Sequence, residues 1–120
     1  MSNDELLSSL AQYTGTNHYH RMYADFYLTD GARFLADNAN CYWLMTLYWS
    51  HMLNIDHSQH EFTVLKLTVH NSAAFVSIED GNDNVLAQQF VEYTDFQLPT
   101  FSMYCCWFGE GWVVMLTSEY

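Results

Sequence analysis

Six histidines and three cysteines are the side chains here best suited to chemistry, and their spacing limits what that chemistry is. His18 and His20 flank Tyr19, while His51, His57 and His60 gather around one segment with Asp56 and Glu61 beside them. A zinc or similar site needs three or four N, O or S ligands that converge. His57 and His60 stand three apart, and Cys41 or Cys105 could add a thiolate, yet no HExxH and no paired CxxC motif is present. A metal- or thiol-dependent small enzyme using His57, His60 and a cysteine is therefore the alternative reading. No metal or cofactor is expected. Cys41 falls at the edge of an apolar helical segment and Cys105 and Cys106 lie in an apolar strand, the setting of small buried hydrophobes rather than activated nucleophiles. Tyr13-Thr14-Gly15-Thr16 has a single glycine and no following lysine, so it is no phosphate-cradling loop, and neither GxSxG nor a dinucleotide fingerprint occurs. No catalytic residue is assigned.

The carboxylates are the stronger signal. Fourteen Asp and Glu face three basic residues, for a formal net charge of −11; the three are Arg21, Arg33 and Lys66. Binding free nucleic acid requires Lys and Arg to neutralise phosphates, and an anionic membrane makes the same demand, so neither is expected as a partner. The basic surface of a protein or ribonucleoprotein complex is the natural counterpart, because opposite potentials speed and orient encounter. Glu79, Asp80 and Asp83 share one turn and are the first candidates for partner contact, followed by Asp56 and Glu61. The calcium reading of that turn fails on spacing, since EF-hand ligands alternate and end in a glutamate at the twelfth position. A hairpin turn is expected instead.

The elements that must position these residues are legible as patterns. Ser2 or Asn3 caps a helix from about Asp4, with Leu6, Leu7 and Leu10 on one face and Gly15 ending the segment. Met22 to Leu28 reads as one short strand. Thr29-Asp30-Gly31 begins a second helix over Ala32 to Asp37, broken by Asn38-Ala39-Asn40, and Tyr42 to Leu53 forms a third. A continuous helix over 31–53 is the alternative. From Phe62 the pattern changes to period two: strands over 62–69, around Ala74 to Ile78, Val85 to Tyr93, Phe101 to Phe108, and Trp112 to Leu116. Glu79-Asp80-Gly81-Asn82-Asp83-Asn84 and Gly109-Glu110-Gly111 supply turns. Helices first and hairpin strands after predict an α+β fold, with N-terminal helices packed on one face of a mainly antiparallel sheet of about five strands.

At 120 residues the chain fits a single domain, 1–120, with a real hydrophobic core. Half its residues are hydrophobic and 18% are aromatic, which excludes disorder and leaves open whether the rings build the core or an interface. The odd cysteine count, with two adjacent, argues for a reducing, cytoplasmic setting. The acidic start Met1-Ser2-Asn3-Asp4-Glu5 lacks signal-peptide features, and no apolar run spans a bilayer.

Seven stretches taken in order carry a family resemblance: Tyr13-Thr14-Gly15-Thr16, Thr29 to Ala36, Tyr42-Trp43-Leu44, Leu65 to Val69, Glu79 to Val85, Glu92 to Phe96, and Ser118-Glu119-Tyr120. Together they resemble a family of uncharacterised short proteins from phages, plasmids and bacterial genomes. That resemblance implies a mobile genetic element in a bacterial host cell, where small acidic proteins often inhibit host defences. The leading expectation is thus an anti-CRISPR-like inhibitor of a nucleic-acid-handling defence complex, acting through an acidic and aromatic surface, with a Cas subunit as one candidate target. A self-assembling accessory protein, such as a homodimer joined through exposed rings, is a further alternative.

Overall fold

Local chemistry starts the first two helices in the computed structural model, which describes residues 1–120. Helix α1 (Asn3–Leu10) begins with a reciprocal capping box: the Ser2 hydroxyl accepts from the Glu5 N–H and the Glu5 carboxylate accepts from the Ser2 N–H. Helix α2 (Asp30–Asn38) is capped by Thr29, whose hydroxyl accepts from the Ala32 N–H. Asn40 takes a left-handed φ of 52°, which stops α2 from running into α3 (Tyr42–Met52), so the alternative of one continuous helix is not what forms.

Seven strands follow from alternation and pairing. They are β1 (His20–Tyr23), β2 (Phe26–Leu28), β3 (Phe62–His70), β4 (Ala73–Glu79), β5 (Val85–Val91), β6 (Thr100–Trp107) and β7 (Trp112–Leu116), with a single 3₁₀ turn at Thr117–Glu119. They form one sheet in the order β1-β2-β7-β6-β3-β4-β5. The pairs are antiparallel except β2 with β7, where Phe26, Tyr27 and Leu28 run alongside Trp112, Val113 and Val114.

The α+β class holds, but the sheet is mixed and has seven strands rather than five. The expected single strand from Met22 to Leu28 is a tight hairpin. Asp25 turns the chain with a φ of 58°, a conformation Asp tolerates better than most residues and one that no glycine announces here. The first helix stops at Leu10, short of Gly15.

The core lies between the sheet and helices on one side of it. Leu65 and Leu67 of β3, Ala74, Val76 and Ile78 of β4, Met103 and Cys105 of β6, and Val114 and Leu116 of β7 all point to that side and are buried. Leu35, Ala36, Leu44, Met45 and Tyr48 meet them from α2 and α3. Helix α2 lies over β2 and β7, and α1 packs on α2. Helix α3 is tied to the sheet by three polar contacts: Thr46 with Tyr23 at 3.0 Å, Tyr48 with Thr63 at 2.8 Å, and His51 with Gln89 at 2.7 Å.

The opposite face of the sheet carries no helix. Of its 4 Trp, 9 Tyr and 8 Phe, only Phe26, Tyr48, Phe96 and Trp112 are buried in the core, and seven more rings pack half-buried against it. Others roof the helix-free face instead. Phe108 lies edge-on to Tyr19 and Tyr27, with centroids 5.1 and 5.5 Å away, and Tyr120 lies over Phe62 and Tyr104 at 5.2 and 5.4 Å.

Candidate protein-binding surface

The ring clusters cover β2, β7, β6 and β3, and they stop short of β4 and β5. There Phe75 and Phe90 sit opposite each other across the ladder on the helix-free face, 45% and 64% exposed. Val85 extends the exposed apolar surface at the start of β5, while the exposed Tyr93 past its other end lies beside Trp43 of α3. Strand β5 is also an edge, with one row of backbone donors and acceptors open to a further strand.

The two edges of the sheet are guarded very differently. Strand β1 is short, breaks register between Arg21 and Tyr23, and displays the exposed Arg21, all devices that discourage pairing. Strand β5 reads Val-Leu-Ala-Gln-Gln-Phe-Val, with no charge and no proline in seven residues. Its register with β4 shifts only next to the turn, between Ile78 and Glu79, and runs regularly from Ala74–Val91 to Ile78–Ala87.

Acids stand at the ends of this edge. The turn before β5 holds Asp80 and Asp83, and Glu92 follows directly after it. The five carboxylates expected to meet a partner divide by role. Asp80 is folded into its own turn: Oδ1 accepts from the N–H groups of Asn82 and Asn84, and Oδ2 from the Asn84 amide at 2.9 Å. The Asn84 amide first, and then the Asn82 N–H, hold the Asp80 carboxyl below its ordinary pKa. Glu79 lies on the helix-free face, paired with Lys66 at 3.0 Å and accepting from Ser77. Asp56 caps its loop by accepting from the Ser58 hydroxyl and N–H, which lower its pKa in that order. Asp83 and Glu61 make no side-chain hydrogen bond or ion pair, and both are exposed. Glu61 and Asp80 do line one shallow hollow together with His60 and Asn82, so the α3–β3 loop and the β4–β5 turn adjoin in space.

The histidines and cysteines are dispersed. His57 stacks on Trp107 with centroids 3.7 Å apart and the rings 2° from parallel, and His51 bonds Gln89. No three His, Cys, Asp or Glu side chains come close enough to share a metal ion. Burial pushes the Cys41 thiol up to about 12 and the Cys106 thiol to about 11, and holds Cys105 well above its ordinary value. Thiols this basic stay protonated at neutral pH.

His20 forms the one histidine–carboxylate pair, with Nε2 at 2.6 Å from Asp30 Oδ1. Its Nδ1 accepts from Arg33 at 2.9 Å. Both ring nitrogens are therefore occupied, and none is free to take a proton from a nucleophile. The pair fastens the segment before β1 to α2: Asp30 also accepts from the Asn17 N–H, and the Asp30 N–H donates to Thr16. From the other side Glu119 accepts from the Thr29 hydroxyl at 2.6 Å and from the Gly31 N–H at 3.1 Å. Three sequence motifs that looked separate, around Thr16, Asp30 and Glu119, thus converge on the first turn of α2 as structural clamps.

Sequence reasoning missed the Phe75–Phe90 pair and the open edge beside it. The usable signal was an uncharged strand in a strongly acidic chain, but a strand's place at the edge is not written in its own residues. No helix is long and apolar enough to cross a membrane.

Comparison with known proteins places the fold without naming an activity. A crystal structure of a protein of unknown function from Enterococcus faecalis is similar, with a TM-score of 0.56 and 12% identity over 81% of this chain and 91% of that one. At that identity the likeness shows the fold alone. No curated protein matches the chain. The expectation of a family with no assigned activity holds, and residues 4–120 match it: the chain belongs to the family of unknown function DUF6876.

Proposed function

We propose that the protein works by binding a basic partner protein, which adds an extended segment to the open edge of β5 and covers Phe75 and Phe90. The observation that carries this reading is the unguarded edge: seven residues without charge or proline, beside an exposed cross-strand phenylalanine pair. Main-chain bonding along an edge supplies affinity, and side-chain sites on alternate residues supply specificity. Asp83 and Glu92 at the two ends favour Lys or Arg in the incoming segment. The same acids disfavour a second copy of this chain. Two antiparallel β5 strands would set the Asp83 end of one against the Glu92 end of the other, between chains each carrying −11.

The inhibitory role belongs to the same proposal: a defence complex that handles nucleic acid presents the Lys- and Arg-rich surface this edge would engage. The test is capture from a bacterial lysate carrying an intact CRISPR system, at low and high salt, with wild type and a Phe90→Ser/Asp83→Asn variant in parallel. Salt-sensitive recovery of a basic protein by wild type and not by the variant supports binding at β5, and a Cas subunit in that position supports the inhibitor role. Equal recovery by both proteins rejects the site. Recovery of the bait alone, with a dimer by light scattering, favours self-assembly.

A further inference from the structure

We propose that a cavity at the C-terminal end of α3, on the helix side of the sheet and separate from the β5 edge, binds a small organic cation of the methylated-ammonium type. The cavity holds about 290 Å³. That is at the small end of ligand sites, roughly 300–1,000 Å³, and suits a head group rather than an extended molecule.

Three indoles line it. Trp107 and Trp112 come from the facing ends of β6 and β7, their centroids 5.4 Å apart and their planes 73° apart, so they make two walls of a corner. Trp49 contributes from the last turns of α3. Both half-buried indoles are braced by a neighbouring ring: Tyr23 stacks on Trp49 at 4.0 Å, and His57 on Trp107 at 3.7 Å. Indole offers the best π face for a cation; the stacked neighbour takes one face of each of these two rings and holds it in place, so a cation taking the other face meets a wall that needs little rearrangement.

The electrostatics select the sign of the ligand. Eight of the ten lining residues are hydrophobic, and the others are Asp25 and His57. Neither Lys nor Arg is among them, in a chain of net charge −11. An anion would find no partner of fixed charge.

The backbone of Asp25 is fixed at this site by a second, independent device. It holds a left-handed φ of 58°, its carbonyl accepts from the Trp112 N–H at 2.8 Å, and Gly111 approaches so closely that a Cβ there would lie 2.8 Å from that same oxygen. The strained turn and the indole wall are thus one unit.

The ammonium head could belong to a free small molecule or to a methylated lysine on a protein, and titration separates the two. Choline, its uncharged carbon isostere dimethylbutanol, and a short trimethyl-lysine peptide are each titrated into the full chain, with tryptophan fluorescence and calorimetry as readouts. Saturable binding of choline or the peptide, about ten-fold tighter than the isostere, is expected. Preference for choline identifies a free ligand and preference for the peptide a protein-borne one. Asp25→Asn keeps the left-handed turn accessible and weakens the cation several-fold, while Trp107→Leu and Trp49→Leu, each checked for fold by circular dichroism, abolish binding. Equal binding of the isostere, or no binding of either cation, overturns the proposal.

Discussion

Glu119 accepts a hydrogen bond from the backbone N–H of Gly31, 88 positions earlier in the chain, at 3.1 Å. The same carboxylate accepts from the buried Thr29 hydroxyl and from the Leu116 N–H, so it fills the N-terminal end of α2, where backbone donors lack helical partners and the dipole favours negative charge. Gly31 is required by this closeness: a Cβ there would lie 2.5 Å from Glu119 Oε1 and 2.7 Å from a Leu116 methyl.

Loosening this clamp is expected to destabilise the whole domain. Glu119→Ala leaves the Thr29 hydroxyl and the Gly31 N–H without their acceptor, at a cost of about 1–3 kcal/mol. Gly31→Ala in the wild-type background costs a similar amount, because backbone and carboxylate must separate. Urea denaturation measures both. In the Glu119→Ala background Gly31→Ala becomes much milder, and additive effects in the double variant would show that the two residues do not meet as described.

Acid should weaken the fold through its hydrogen-bonded aspartates. The Asn17 N–H, and after it His20, hold Asp30 below the ordinary carboxylate range, as the Asn84 amide does for Asp80. A folded-state pKa below the unfolded value of about 3.9 means that the unfolded chain binds protons more tightly. The stability these groups supply is complete above that value and is lost as pH falls through the folded one. The urea midpoint is expected to stay level from pH 7 to about 5 and to drop below about 4. An Asp30→Asn/Asp80→Asn variant starts lower and falls less steeply, and a slope equal to wild type would remove these two residues from the account.

Phe90→Ser should separate binding from folding. The ring is 64% exposed and roofs nothing, so its loss shifts stability by only about 0.5 kcal/mol or less. Partner recovery falls sharply all the same. Asp80→Lys, by contrast, strips three bonds from its own turn and should lower the melting temperature as well as binding, which makes Asp83→Asn, suited to the left-handed φ of 67° there, the cleaner charge removal.

The thiols should be inert in the native protein. With Cys106 at about 11, the thiolate fraction at pH 7 is on the order of 10⁻⁴. Iodoacetamide at neutral pH is expected to leave Cys41, Cys105 and Cys106 unmodified over the time in which it alkylates all three in denaturant. Rapid native modification of one of them would favour a thiol-based activity.

Local features read well from the chain because their causes are local. Ser2 and Thr29 announce their helices by capping them, and the five Asp, Asn and Gly residues before Val85 make the hairpin turn they promise. The carboxylates of that turn were legible as a cluster, but not the division of labour among them. Asp80 and Glu79 bond within the fold, while Asp83 is left exposed, a difference set by which donors the folded turn and sheet bring near. The β1–β2 hairpin escaped notice because Asp25 turns the chain where a glycine would have signalled it.

Composition and period alone determined an acidic α+β domain with two capped helices, a third apolar one and a strand-rich second half. Only the tertiary structure decided that β2 runs parallel to β7, that β5 is the bare edge, and that Trp49, Trp107 and Trp112 surround one cavity. A residue's period and capping are fixed by neighbours a few positions away. Its partner across a sheet is chosen by the burial of the whole core, and no short stretch of sequence carries that choice.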